Sequence, residues 1–381
     1  MQKKITYRIG DVSKIYSGGD RPEIYSDIQN SECPIPIYSN GLDNEGLYGY
    51  TNKSQIEGDC ITVAARGVNI GTVFYRPTPF LPIVRLLSVI PDRTLVNAKY
   101  LYYYFQIDTI IGTGSAQPQL TIPFFQKKKI LIHEDISYQQ KIASILSAYD
   151  NLIQNYKKQI EALQTAASEL YKEWFIRFRF PGWKNAEFEN GIPEEWKVEK
   201  LFDVAKIIYG YPFNSDEFCD DNSLNPVVRI RDILDNHTDT YTSEFCDEKY
   251  WINPNEMLIG MDGIFHMTLW TGERALQNQR TVRVTSKIKN LSNYYLYFSL
   301  YPQIKALEQM IVGTTVAHLG DKHLKKITIL VPEDKILKMS YERFEPMMNR
   351  IYSLQQQITN LTQQRDLLLP RLMSGKLEVL K

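Results

Sequence analysis

The chain has few cysteines, no long apolar run, no excess of either charge and no adjacent prolines. Each absence removes a class of function. The four cysteines (Cys33, Cys60, Cys219, Cys246) include no C-x-x-C pair, which argues against a zinc ribbon or disulfide framework and predicts free thiols. The five histidines are scattered, and His318 and His323 alone do not make a metal site. No apolar stretch reaches the ~18 residues a membrane helix needs, and Met1-Gln2-Lys3-Lys4-Ile5-Thr6 lacks the apolar core of a secretory signal, so a cytoplasmic protein with no membrane partner is expected. Forty-four basic residues balance forty-four acidic ones. That balance argues against non-specific coating of nucleic acid, yet leaves room for basic residues gathered on one face. Without adjacent prolines there is no (D/N)-P-P-(Y/F) motif of amino-methyltransferases, and no G-x-x-x-x-G-K-(S/T) phosphate loop occurs. Glu333-Asp334-Lys335 has the E-x-K spacing of nuclease sites, but no aspartate constellation accompanies it, and it reads as solvated charge.

What is present is an internal repeat. Ile142, Leu146, Tyr149, Ile153, Tyr156, Ile160, Leu163, Ala167, Leu170 and Trp174 step by four and three without a break. Phe344, Met347, Ile351, Leu354, Ile358, Leu361, Arg365, Leu368 and Leu372 do the same. An offset of 198 carries Ile153 onto Ile351 and Leu163 onto Leu361. Upstream, Asp11-Val12-Ser13-Lys14-Ile15 answers Asp203-Val204-Ala205-Lys206-Ile207, and Gly18 answers Gly210. Gly58-Asp59-Cys60-Ile61 with Arg66-Gly67 answers Asn255-Glu256-Met257-Leu258 with Asp262-Gly263. Tyr100 to Phe105 resembles Tyr294 to Phe298, and Gly112-Thr113 through Leu120 resembles Gly313-Thr314 through Leu319. Each half is therefore a globular unit followed by a long helix, with the match strong in the helices and weak in the globular parts.

Asp59 to Ala65 and Gly71 to Tyr75 read as strands, Asn97 to Ile111 as a helix, and Lys127 to Ile132 as a strand approached by a basic run. In the second half Pro226 to Ile230 and Thr281 to Val284 read as strands, and a Tyr-rich helix starts at Leu291. The expected fold is mixed α/β (α+β). A first globular domain spans 1–136, a helix 137–178, a Pro/Gly-punctuated connector 179–196, a second globular domain 197–335, and a last helix with its tail 336–381. Pro370 is expected to end or kink that last helix. One helix cannot bury such a stripe alone, so the two are expected to pair antiparallel as a coiled coil, giving pseudo-twofold symmetry. Arg365 on the seam is expected to set register or face a partner.

The segment Gln139-Gln140-Lys141-Ile142-Ala143-Ser144-Ile145-Leu146-Ser147-Ala148-Tyr149-Asp150, continuing to Trp174-Phe175, resembles the central conserved region of type I restriction-modification specificity subunits. Gln363-Gln364-Arg365-Asp366-Leu367-Leu368-Leu369-Pro370-Arg371-Leu372-Met373-Ser374-Gly375-Lys376-Leu377 resembles that family's distal conserved region. Gly58-Asp59 with Ala65-Arg66-Gly67 and Ile70-Gly71, and Gly210-Tyr211-Pro212-Phe213-Asn214-Ser215, are similar to motifs of its target-recognition domains. The resemblance covers the whole chain. It implies that each domain reads one half of a bipartite, asymmetric site on double-stranded DNA and that the helices set the gap. It further implies that two methyltransferase (modification) subunits dock on the helices and methylate adenine N6 with S-adenosylmethionine, and that restriction (motor-nuclease) subunits use ATP and magnesium. The specificity subunit itself has no catalytic centre and binds no cofactor.

Base readout needs Arg for guanine and Asn or Gln for adenine, and phosphate contacts need Lys, Arg or small polar groups. The candidates are Asn40, Lys53, Arg66, Asn69 and Gln119 in the first domain, and Asn214, Arg229, Arg231, His266, Arg274 and Lys322 in the second. Most of the 25 tyrosines read as core rather than as base-stacking platforms. Trp174, Phe175 and Phe178, with Leu369, Leu372 and Met373, carry more apolar surface than a seam requires, and are candidates for partner contact or for capping the adjacent core. Rival readings are a nuclease or fused methyltransferase, a scaffold that binds protein rather than DNA, and the specificity part of another restriction-methylation enzyme.

Overall fold

The structure is a computed structural model that describes residues 2–112, 118–311 and 317–379. Thr113 and Gly313-Thr314 of the repeat lie outside the described residues. The chain forms two compact units, Met1–Ile153 with Leu361–Lys381, and Gln154–Asn360.

In the first unit an antiparallel sheet runs in the order Ser13–Ser17, Leu87–Pro91, Cys60–Val63, Val73–Arg76. The strand Cys60–Val63 is buried along its whole length, Thr62 included, which is why its sequence shows no alternation of apolar and exposed polar residues. The helix Ala98–Ile107 covers this sheet with Tyr100 and Leu101 fully buried. Asn97 caps it by accepting the Tyr100 backbone N–H at 2.9 Å. It ends at Ile107, short of the expected Ile111, where Asp108 turns to an extended conformation. A smaller sheet joins Leu47–Thr51, Ile35–Tyr38 and Leu81–Pro82, and an antiparallel pair joins Lys4–Arg8 to Lys129–His133.

The second unit repeats this plan. Its larger sheet runs Ala205–Tyr209, Thr281–Ser286, Met257–Gly260, Met267–Leu269, and Lys197–Lys200 pairs with Thr328–Val331. Its smaller sheet runs Tyr241–Thr242, Asn225–Val228, Ala275–Gln277, Trp251–Ile252, and the last pairing is matched in the first unit by the isolated bridge between Ile56 and Phe80. The covering helix is Asn293–Ile311, and Ser292 accepts the Tyr295 N–H at 3.1 Å. The two caps align Tyr100-Leu101 with Tyr295-Leu296, an offset of 195.

The first long helix is Ile136–Tyr171, 36 residues, or about 54 Å at 1.5 Å per residue. It widens into a π-type turn over Lys172–Ile176 and stops where Phe178 adopts positive φ, so its regular part is shorter than the expected 137–178. The second long helix is Asp334–Ser374, 41 residues. Pro370 does not end it. Only one backbone bond is lost there, and burial of Leu369, Leu372 and Met373 holds the last turn until Gly375 (φ +77°) stops it. Every seam position on both helices is buried or half-buried. In the first unit the start of one helix meets the end of the other, with Asp150 against Arg365. In the second unit the end meets the start, with Gln159 against Arg350. The pairing is antiparallel.

Candidate nucleic-acid interface

Each large sheet carries a glycine loop at one end. In the first unit the loop after Cys60–Val63 turns at Gly67 (φ +75°), a conformation that favours glycine, and presents Val68 fully to solvent. Arg66 forms a bridge with Gln119, and the Leu120 N–H donates to the Ala65 carbonyl at 2.9 Å. Asn69 donates from Nδ2 to the Asn40 carbonyl at 3.1 Å. Four of the five candidates in this domain, Asn40, Arg66, Asn69 and Gln119, thus come together from three distant stretches of chain. Lys53 stands exposed beyond strand Leu47–Thr51, outside this set of contacts.

Asn40 is a correction to the base-contact expectation. Its Oδ1 accepts the Ala65 N–H at 2.8 Å and its Nδ2 donates to the Val84 carbonyl at 2.7 Å, so its amide braces two loops. Arg66 is half-buried, and its Nε is sealed from solvent without a protein acceptor.

The second unit places different chemistry on the same frame. Gly263 (φ +68°) takes the place of Gly67, exposed Ile264 that of Val68, and Asp262 bridges His318 as Arg66 bridges Gln119. Asp262 Oδ1 meets His318 Nδ1 at 2.6 Å, and Arg280 Nη1 donates to Oδ2 at 2.8 Å. Burial pushes the Asp262 carboxyl up, but the bonds from His318 and Arg280 outweigh it and hold the group below the usual range. His266 closes this loop, with its carbonyl accepting the Gly260 N–H at 2.8 Å. Lys322 is exposed on the short helix Asp321–Leu324, just past His318.

The remaining candidates of this domain lie elsewhere. Arg229 is a second correction: it is half-buried, contacts Thr240 Oγ1 and Asp232 (3.7 Å), and lies over the Phe218 ring, so its work is internal. Arg274 pairs with Glu248 over the Trp251 ring. Asn214 accepts the Asp216 N–H at 3.1 Å and acts as a turn cap. Arg231 remains largely exposed, with a single ion pair to Asp232 at 3.5 Å.

Sequence reasoning missed His318, Arg85 and Arg280. The repeat itself carried the signal for His318, since the match of Gly112–Leu120 to Gly313–Leu319 sets Gln119 opposite it. Arg85 and Arg280 are exposed, have positive φ, and follow equivalent bridges (Gly19 with Ile83, Tyr211 with Asn278). Nothing in their local sequence marks them.

Of the two readings of the apolar helix ends, the structure shows these residues capping the adjacent cores. Phe175 is buried among Tyr171, Trp196 and Tyr295, with Trp174 and Phe178 packed half-buried on the same core. Leu369, Leu372 and Met373 are buried in the core of the first unit. Among the described residues, the exposed large hydrophobic residues of the long helices are Leu152, Tyr341 and Leu367, with Ile176 in the π-type turn. All four cysteines are free thiols. Among the described residues no helix is long and apolar enough to cross a membrane.

A sequence profile described as "Type I restriction modification DNA specificity domain" matches residues 1–165 and again 193–363. The chain is 30% identical to the type I restriction enzyme MjaIX specificity subunit of Methanocaldococcus jannaschii, over 81% of this chain and 76% of that one. It is 26% identical to the MjaVIII specificity subunit of the same organism, over 98% and 92%. Among solved structures, the S subunit of a type I restriction-modification system from M. genitalium superposes with a TM-score of 0.67 at 14% identity, covering 98% of this chain and 96% of that one. That likeness bears on the fold.

Proposed function

This chain belongs to the type I restriction-modification DNA specificity family, and we propose that its two globular units each read one half of a bipartite, asymmetric DNA site. The observation that carries this reading is the pair of equivalent glycine loops with unlike side chains. Arg66 and Gln119 on one, and Asp262, His318 and Arg280 on the other, offer different donor and acceptor patterns to a groove. Unlike readers require unlike half-sites.

The antiparallel helices act as the ruler between half-sites in this reading. Their lengths of 36 and 41 residues suit the task, since one duplex turn is about 34 Å. Two methyltransferase subunits dock on the helix faces away from the seam, where Leu152, Ile176 and Leu367 are exposed. They supply adenine-N6 methylation with S-adenosylmethionine, and motor-nuclease subunits supply ATP- and magnesium-dependent cleavage. This chain contributes recognition and no catalytic group, and works in the cytoplasm where its DNA is.

The test is a methylation map of DNA from cells carrying this gene with its methyltransferase partner, against cells lacking this gene alone. A bipartite adenine-methylated motif should vanish with the gene. Persistence of the same motif would assign recognition to another chain.

A further inference from the structure

The first unit is tied to its helix pair by polar side chains whose counterparts in the second unit are apolar. Gln139, fully buried on the first long helix, accepts the Asn97 N–H at 2.9 Å and donates to the carbonyls of Leu95 (3.0 Å) and His133 (2.7 Å). Three turns further along, roughly 16 Å at 1.5 Å per residue, Asp150 forms a hub. The Tyr103 hydroxyl donates to its Oδ2 at 2.5 Å, and Arg365 Nη1 donates to its Oδ1 at 2.7 Å. Arg365 is held in turn by Asp366 Oδ1, at 2.9 Å from Nε and 2.8 Å from Nη2. Burial, and then the Asp150 carboxylate, push the Tyr103 hydroxyl far above its ordinary range, so it keeps its proton and donates. Three elements, the covering helix and both long helices, meet on one carboxylate.

The internal repeat supplies the control. By the helix offset Gln139 corresponds to Leu337, Asp150 to Met348 and Arg365 to Ala167, and by the cap offset Tyr103 corresponds to Phe298. All four polar groups are apolar in the second unit, and all four replacements belong to its core. A cavity of about 310 Å³, bordered by Phe298, Met348 and Ile351, remains there. The second unit is tied to its own helices at other positions, by the Tyr171 hydroxyl with Ser299 Oγ (3.0 Å) and by Gln356 Nε2 donating to the Thr271 carbonyl (3.0 Å), so these four positions can be apolar without loss of packing, and replacing a buried ion pair by apolar groups is often neutral or stabilising. What hydrogen bonds add is fixed distance and direction.

We propose that Gln139 and the Asp150–Arg365–Tyr103 hub are positioning residues that fix the angle of the first globular domain on its own helix pair, and with it the base-pair register at which that domain meets DNA. This rests on the reading that the domain recognises a half-site. One anchor permits a pivot, and a second removes it. A domain of this size spans roughly 28 Å, twice its expected radius of gyration of ~14 Å. A tilt of about 7° then moves its far side by about 3.4 Å, one base-pair step along a strand.

The experiment uses the assembled complex with its methyltransferase subunits and maps methylated adenines genome-wide. Wild type should give one bipartite motif with one spacer, and failure to find any motif dependent on this chain overturns the half-site reading itself. With that motif established, Arg365→Ala should leave both half-sites unchanged in sequence. It should raise methylation at spacers one base pair longer or shorter by roughly tenfold, the ratio that about 1.4 kcal/mol sets. Tyr103→Phe should act in the same direction with smaller size, and Arg365→Lys, which keeps the charge beside Asp150, should stay near the wild-type spacing. A single unchanged spacer in Tyr103→Phe, and in Arg365→Ala where that variant folds, overturns the proposal whether methylation stays level or falls at all sites, because lost stability lowers every site alike. Tyr103→Phe removes one oxygen and keeps the ring, so it decides the question even where Arg365→Ala fails to fold.

Discussion

In the first unit an amide, a carboxylate and a phenol join the apolar packing between the globular domain and its helices; in the second, the corresponding positions are apolar and rings dominate, with polar ties only elsewhere, at Tyr171–Ser299 and Gln356–Thr271 among them. Phe175 meets Tyr295 edge-on at 4.6 Å, Tyr171 lies 5.2 Å from Phe298, and Tyr294 stacks on Phe344 at 6.0 Å. Both joints use the same helix pairing and the same covering helix. The difference teaches that stability and orientation are separable here. Aromatic packing tolerates sliding, whereas the hydrogen bonds of the Asp150 hub prescribe a geometry.

The comparison breaks most sharply at Phe175. Phe175→Ala should destabilise the second unit by about 3–5 kcal/mol, the range for truncating a buried aromatic, while amide exchange in the first unit stays unchanged. Equal loss of protection in both units would show that the joints do not act independently. Two-state unfolding is not assumed for a chain of two units, so unit-resolved hydrogen exchange is the measurement.

A smaller effect separates the units by pH. His133 is buried, its Nδ1 is bonded to the Tyr100 hydroxyl at 2.8 Å, and its Nε2 has no protein partner. Burial, with a contribution from Lys4, pulls it down to about 4. The unfolded chain therefore binds a proton that the folded unit excludes. Stability is complete above about pH 6.5 and falls as the pH drops toward 4, by a total of about 3 kcal/mol. The register of the strand pairs puts Pro332 at this place in the second unit. His323 there is pulled the same way, but it is only half-buried. Burial and then Glu195 raise the Glu333 carboxyl, and burial raises that of Glu345, which favours the folded second unit between pH 7 and 5, while the lowered carboxyls of Asp262, Glu308 and Asp321 act against it only below about pH 4.5. Exchange at pH 7 and pH 5 should show the first unit loosening first, and His133→Gln should flatten that response.

The smallest effect lies at the loops. Arg66→Ala should relax base preference in the first half-site only, by about 1–2 kcal/mol, within the range for a side chain read against a base. Competition between matched and single-mismatch sites measures it. Relaxation in both half-sites would place Arg66 in general folding rather than in readout.

The long helices were legible because a 3.5-residue period sustained over ten positions in one and nine in the other fits neither a strand nor a loop. Their pairing was legible because two such stripes lacked any other cover. The individual contacts were not. Asn40 looked like a base reader, and its partners lie 25 and 44 residues away in sequence. Arg229 looked free until Thr240 and Phe218 closed on it. Pro370 looked like a stop, and tertiary burial of its neighbours overrode the local rule. Propensity speaks for the residue's own turn, and a site is assembled from several turns at once.

The second unit is one uninterrupted stretch, 154–360, whereas the first is completed only by 361–381. During synthesis this order has a cost in time. Domains emerge N-terminal first, at about 5–20 residues per second. The first globular domain therefore leaves the ribosome early, yet Ile142 and Leu146 lack the cover of Leu369, Leu372 and Met373 until some 200 further residues have been made, a wait of roughly 10–40 seconds. The globular part of the second unit is made in that interval, but the unit is complete only at residue 360, nine residues before Leu369, so the earlier domain carries its open apolar stripe until both units close almost together. The half-made chain is the aggregation-prone species, and chaperone cover or early capture by another subunit would matter most in that interval.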